Sequence, residues 1–199
     1  MKLMKHKKVL IIVAHPDDET IWMGGTLIRN STLRKKWDLT IICLCRKDDE
    51  ERATKFFKVC KILNAKGFMS DLEDDKLGEI DNNEVIDRIR EIIDKSGREY
   101  DYVFTHGENG EYGHIRHKDV NRAVREMIGK KIISCRKLFL FAYVKNNGEC
   151  YADTSASKFI NLNKQELLKK KELITMAYGF DTGSFEEINC KDKEAFIEK

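Results

Sequence analysis

Four runs of consecutive apolar residues, at 9–14, 39–45, 102–105 and 138–144, alternate with segments whose apolar residues recur every three or four positions. That alternation limits what the chain can fold into. Strands that are apolar on successive residues need cover on both faces, and helical connections between them supply it. The expected fold is α/β: a Rossmann-like, three-layer α/β/α arrangement around a mostly parallel sheet. Phe68 and Met69 mark a weaker fifth strand. One helical face carries Ala53, Phe56, Phe57, Cys60 and Leu63; a second carries Val85, Ile86, Ile89, Ile92 and Ile93; a third carries Val120, Ala123, Val124, Met127 and Ile128. A last helix, over about 164–178, would turn Leu167, Ile174 and Tyr178 inward. No repeat or linker interrupts the pattern, so residues 1–199 are expected to form one domain.

Charge and cysteine usage narrow the function. The 37 basic and 34 acidic residues nearly cancel, and their interleaving leaves no basic, aromatic stripe, so nucleic acid is not an expected partner. The basic start, 1–8, precedes an apolar run too short for a signal peptide and lacking a small-residue cleavage site. No run approaches the roughly 20 apolar residues of a membrane span. The six cysteines show no CxxC spacing and read as reduced, mostly buried thiols of a cytoplasmic protein.

Two segments carry residues suited to chemistry. The first, Ala14-His15-Pro16-Asp17-Asp18-Glu19, follows a buried strand and precedes a helix containing Ile21, Trp22, Leu27 and Ile28. Pro16 disfavours helix at His15, so the chain turns and presents His15, Asp17 and Asp18 at the sheet edge. Acidic residues here would serve equally well to cap the helix. His15 favours the other use, because capping needs no imidazole, whereas imidazole and carboxylate together are ordinary zinc ligands. The second segment runs from Thr105 to His117, contains Gly107, Gly110 and Gly113, and precedes a helix expected from Lys118. His114 and His117 share a face at the helix start, so one can bind metal while the other faces substrate. Both segments leave carboxyl ends of expected strands, where open α/β sheets bind ligands. His15, Asp18 and one histidine make three protein ligands with a position left for water, the pattern of a catalytic zinc site. Zinc would bring the pKa of its water to about 7, and Asp17 would accept the proton. Iron also tolerates such ligands.

These two segments, Ala14 to Glu19 and Gly110-Glu111-Tyr112-Gly113-His114-Ile115-Arg116-His117, resemble those of the LmbE/PIG-L family of zinc-dependent N-deacetylases. The resemblance implies one zinc ion per chain held by His15, Asp18 and His117, with Asp17 as general base. It implies that His114 stabilises the oxyanion or protonates the leaving amine. Tyr112 and Arg52 match substrate-binding positions of the family, although Lys55 stands where an acidic residue usually follows that arginine. The implied substrate is an N-acetylglucosamine-type amino sugar or its conjugate. The acidic stretch 71–75 reads as a solvated loop or an acceptor for sugar hydroxyls.

Other readings are weaker. A nucleotide-binding protein would place a glycine-rich turn after its first strand, where His15-Pro16-Asp17-Asp18 stands instead. A metal-dependent phosphoesterase is disfavoured by the single metal and the scarce basic charge near the motifs, a metal-dependent hydrolase of a different amide stands as the alternative, and a non-catalytic sugar-binding homologue would not need the full set of catalytic residues. The sequence is compatible with a homo-oligomer.

Overall fold

The structure, a computed structural model, describes residues 6–33, 36–76 and 78–199. The basic start lies partly outside these residues. Seven strands form one sheet in the order β3 (Ala65–Leu72), β2 (Trp37–Cys45), β1 (Lys7–Val13), β4 (Glu99–Thr105), β5 (Ser134–Phe141), β9 (Lys193–Glu198), β8 (Lys158–Asn161). The first five are parallel; β9 runs antiparallel to both its neighbours. Alternation along β1 explains its unbroken apolar run: Val9, Ile11 and Val13 enter one core, and Leu10, Ile12 and Ala14 the other. The first core is closed by α1 (Asp18–Leu27), α2 (Glu50–Ile62) and the π-helical turn Leu173–Tyr178; the second by α3 (Asn82–Ser96) and α4 (Ile115–Gly129). This is the expected three-layer, mostly parallel α/β fold.

Several expectations change at the margins. Phe57 is 45% exposed, and Val59 takes its place in the α2 face. The run 138–144 is two strands. At Ala142 the backbone pairs with Ala195 and Asp153, turning the chain out of the sheet into a hairpin of β6 (Tyr143–Asn146) and β7 (Glu149–Ala152). The last helix begins as α5 (Lys164–Glu172) and continues as the π-helical turn, burying Ile174 and Tyr178 as expected. Its other inward positions hold Glu166 and Lys170, while Leu167 is only partly buried. The six cysteines are free thiols, all buried except the partly exposed Cys135. No helix among the described residues is long and apolar enough to cross a membrane.

Lys170 is buried because α1 is broken. Met23 leaves helical geometry at φ −147°, which frees backbone N–H groups in the following turn. The Gly25 and Thr26 amides donate to the Glu194 carboxylate of β9 at 2.8 and 2.9 Å, and the Thr26 hydroxyl donates at 2.6 Å. Lys170 Nζ donates to the same carboxylate at 2.8 Å. Gly25 fits the break because a Cβ there would stand 2.2 Å from Leu162 Cδ1. Lys170→Met should destabilise the fold by about 3–5 kcal/mol in denaturant unfolding, because it strands a buried carboxylate. Adding Glu194→Gln should recover part of that loss; full additivity of the two losses would refute this coupling.

Candidate active site

Strand order reverses between β1 and β4, which leave the centre of the sheet side by side. Such a switch point opens a crevice at the strands' carboxyl ends. His15 follows β1 there, and His106 follows β4; the Ala14 amide donates to His106 Nε2 at 2.9 Å. Helix α4 starts at Ile115, three residues earlier than expected from sequence, which makes His114 its N-cap and puts His117 in its first turn.

The hydrogen-bond partners of the histidines assign their tautomers. His106 Nε2 accepts from Ala14, so its Nδ1–H donates to Glu111 at 2.9 Å. Glu111 also accepts from the Gly107 amide at 2.6 Å and from His117 Nδ1–H at 2.5 Å. His15 Nε2–H donates to Asp74 at 3.0 Å. Each carboxylate thus occupies one ring nitrogen and leaves the other, His117 Nε2 or His15 Nδ1, as an electron-pair donor.

Those two nitrogens are 3.2 Å apart. Asp18 completes the group, with Oδ2 at 3.2 Å from His15 Nδ1 and Oδ1 at 3.3 Å from His117 Nε2. Trp22 Nε1 and the His15 amide hold that carboxylate, donating at 3.1 and 2.8 Å. Ligands 2.0–2.1 Å from a tetrahedral ion lie about 3.3–3.4 Å from one another, so these spacings fit the edges of a zinc coordination polyhedron. The charges agree with that fit. Burial would lower the His117 pKa, but Asp18 and Glu111 outweigh it and lift it to about 10, so in the metal-free protein a proton supplies the positive charge the carboxylates demand. Burial likewise opposes ionisation of Asp18, yet His117 and His106 hold its carboxyl well below the usual range. His114 is a further neighbour: one ligand atom from each of His15, His114 and His117 lies within 4.8 Å of the others. Glu111→Gln should weaken metal binding by about 10- to 100-fold in a competitive chelator titration, since an amide orients His117 less firmly.

Asp17 does not cap α1 with its side chain. It sits at φ 110°, a strained conformation for any residue with a side chain. Burial and then the charge of Asp18 push its carboxyl well above the usual range, against the pull of Arg52, whose guanidinium donates to it at 3.2 Å. Burial, reinforced by the charges of His117 and His15, lowers the His114 pKa to about 4. His114 Nδ1 accepts the Arg116 amide at 3.3 Å, which leaves Nε2–H as a neutral donor.

These groups line a pocket of about 180 Å3 that brings together six of the seven sequence-predicted residues, all but the buried His117 behind it. Tyr112 forms part of its wall, packing edge-on against Phe185 at 5.0 Å. Asp74 is no solvated loop residue: Arg116 spends its guanidinium N–H groups on Glu73, Lys76, Gly78 and Asp119, fixing that loop over His15. Sequence reading missed His106 and Glu111 as supports, although both stand in the segment it singled out. Phe185 and Glu186, from the short α6 (Phe185–Ile188), also line the pocket, and nothing in their pattern announced it.

An α/β fold with imidazole and carboxylate donors converging at the switch point defines the class: a Rossmann-like protein with a candidate mononuclear metal site. The chain belongs to the PIG-L family, described as GlcNAc-PI de-N-acetylase, whose model matches residues 10–128. The N,N'-diacetylchitobiose deacetylase of Pyrococcus horikoshii is similar in structure, with TM-score 0.69 and 18% identity over 97% of this chain and 84% of that one. GalB, the 4-carboxy-2-hydroxymuconate hydratase of Pseudomonas putida KT2440, superposes with TM-score 0.71 at 13% identity, over 96% and 95% of the two chains. The uncharacterized protein L374 of Acanthamoeba polyphaga mimivirus is 28% identical over a 149-residue alignment that covers 69% of this chain and 62% of that protein. This chain therefore spans less than two thirds of that relative.

Proposed function

We propose that the protein is a zinc-dependent hydrolase that removes the N-acetyl group from an N-acetylglucosamine-type amino sugar or its conjugate. The observation that carries this reading is the convergence of His15 Nδ1, His117 Nε2 and the Asp18 carboxylate within 3.2–3.3 Å, beside the unliganded carboxylate of Asp17. Zinc held by those three residues would act as a Lewis acid toward the amide carbonyl and acidify a water molecule at neutral pH.

The chain's own groups divide the remaining work. Asp17, with its raised proton affinity, takes a proton from the attacking water and returns it to the departing amine nitrogen. His114, neutral and donating through Nε2, stabilises the oxyanion formed at the acetyl carbon; its low pKa favours that role over acid catalysis. Arg52 holds Asp17 and reaches the pocket, where Tyr112 and Phe185 offer ring surface and Glu186 an acceptor to a sugar. The diacetylchitobiose deacetylase of similar fold acts on an acetylated sugar, which agrees with this lining. The hydratase on the same fold shows that chemistry must be tested directly.

The test is to incubate zinc-loaded protein with a panel of N-acetylated amino sugars and conjugates and to measure free amine and acetate. Stoichiometric release of both supports the proposal; no release across the panel, with zinc bound, overturns it. With an active substrate in hand, His114→Ala should lower kcat by about 10² to 10³ while zinc content stays unchanged. Loss of zinc in that variant would instead make His114 a ligand.

A further inference from the structure

At the opposite end of the sheet, the beginnings of β1 and β2, with parts of β4, β5, β8 and β9, enclose a cavity of about 370 Å3. Buried aromatic rings back it. Phe104 and Phe139 stack with ring centroids 4.8 Å apart, Phe196 meets Phe104 edge-on at 5.4 Å, and Trp37 lies 5.7 Å from Phe104. Trp37 and Tyr102 remain partly exposed there. Four lysines line the same cavity. Two are committed, Lys7 to Asp101 at 3.2 Å and Lys137 to Glu198 at 2.5 Å. Lys36 and Lys158 make no side-chain hydrogen bond or ion pair with any described residue, and the Lys158 ammonium stands 5.2 Å above the Phe139 ring.

A site of this composition discriminates by chemistry. A neutral apolar molecule would cover the rings but desolvate two ammonium groups without pairing them. Free phosphate would pair with the lysines and leave the exposed parts of Trp37 and Tyr102 wet. A flat ring system bearing a negative charge satisfies both halves, packing on Trp37 and Tyr102 and accepting charge-assisted hydrogen bonds at the rim. The volume, more than twice the roughly 150 Å3 that encloses a benzene, admits two fused rings. It also falls within the usual range of small-molecule sites.

We propose that this cavity binds a two-ring aromatic anion, with its rings against Trp37 and Tyr102 and its anionic group paired with Lys36 and Lys158. The site is separate from the catalytic pocket and shares no lining residue with it.

Calorimetric titration of the zinc-loaded protein with 2-naphthoate and with neutral 2-naphthamide tests this. We expect naphthoate to bind at one site, with naphthamide at least about ten-fold weaker. Lys158→Met, which keeps an unbranched stem without the charge, should bring naphthoate down toward the amide's affinity and leave the amide's own binding unchanged. Zinc content and deacetylation should not change in that variant. Absence of naphthoate binding, or equal affinity for the two compounds, overturns the proposal. So does binding that survives combined Lys36→Met and Lys158→Met, or that disappears in Asp18→Ala, which would place the ligand at the zinc.

Discussion

Asp17→Asn is expected to lower kcat by about 10² to 10⁴, the range of a lost general base, with zinc still bound and the fold at least as stable as before. The stability half of this expectation follows from the carboxyl's surroundings. Its folded pKa lies well above the ordinary value of 3.8, because it is buried and faces Asp18. A carboxyl raised in this way favours the fold while protonated and loses that advantage as pH rises through the folded pKa. The amide carries no such penalty, so the gain of Asp17→Asn over the parent should grow from about pH 4 upward and vanish in acid. Backbone strain gives an independent handle: φ 110° suits glycine, so Asp17→Gly should relieve part of a cost of about 1–3 kcal/mol while abolishing turnover. A residue that lowers stability and raises rate is the expected trade at a catalytic position. Turnover within two-fold of the parent in Asp17→Asn, by the amine-release assay, would remove Asp17 from the chemistry. A fall in stability at pH 7 would show that its carboxylate is held for structure instead.

The layered fold was legible because β1 and β2 are apolar on both faces, a pattern only a doubly covered strand needs. The end of the chain was not. β9 carries Glu194 in the interior, and its charge hides the strand from any apolar pattern; what makes it tolerable is Lys170 and the amides freed by the break in α1. The same masking placed Lys170 and Glu166 where Leu167 was expected to face inward. At the site, His15, Asp17, Asp18, His114 and His117 could be picked out because imidazole and carboxylate at strand ends are costly unless used. The supports were harder. Glu111 and Asp74 gain meaning only when the fold brings them to the outer nitrogens of His117 and His15. Arg116 looked like one more basic residue, yet its geometry ties Glu73, Lys76 and Gly78 to α4. Phe185 and Glu186 reach the pocket through the path of a short segment at the chain's end, which no local periodicity encodes.

Zinc should raise the melting temperature of metal-stripped protein by roughly 8–16 °C. At a free concentration about 1,000 times the dissociation constant, binding to the folded state alone adds about 4 kcal/mol. For a chain of this size each kcal/mol is worth about 2–4 °C. Acid should erase the effect, because Asp18, His15 and His117 must give up their protons to the ion. His117 sets the sign on the alkaline side. With its folded pKa raised to about 10 from an ordinary 6.5, its proton stabilises the metal-free fold fully below pH 6.5, and that contribution is lost as pH rises through 10. Zinc competes with this same proton, so the zinc-induced rise should increase between pH 6.5 and 10, until hydroxide competes for the ion. Asp18→Ala should melt at one temperature with or without zinc, because two imidazoles remain and the charge that attracts the cation is gone. A parent protein whose melting is indifferent to zinc across this range, while folded by circular dichroism, would mean that the three donors are packed for stability and hold no ion.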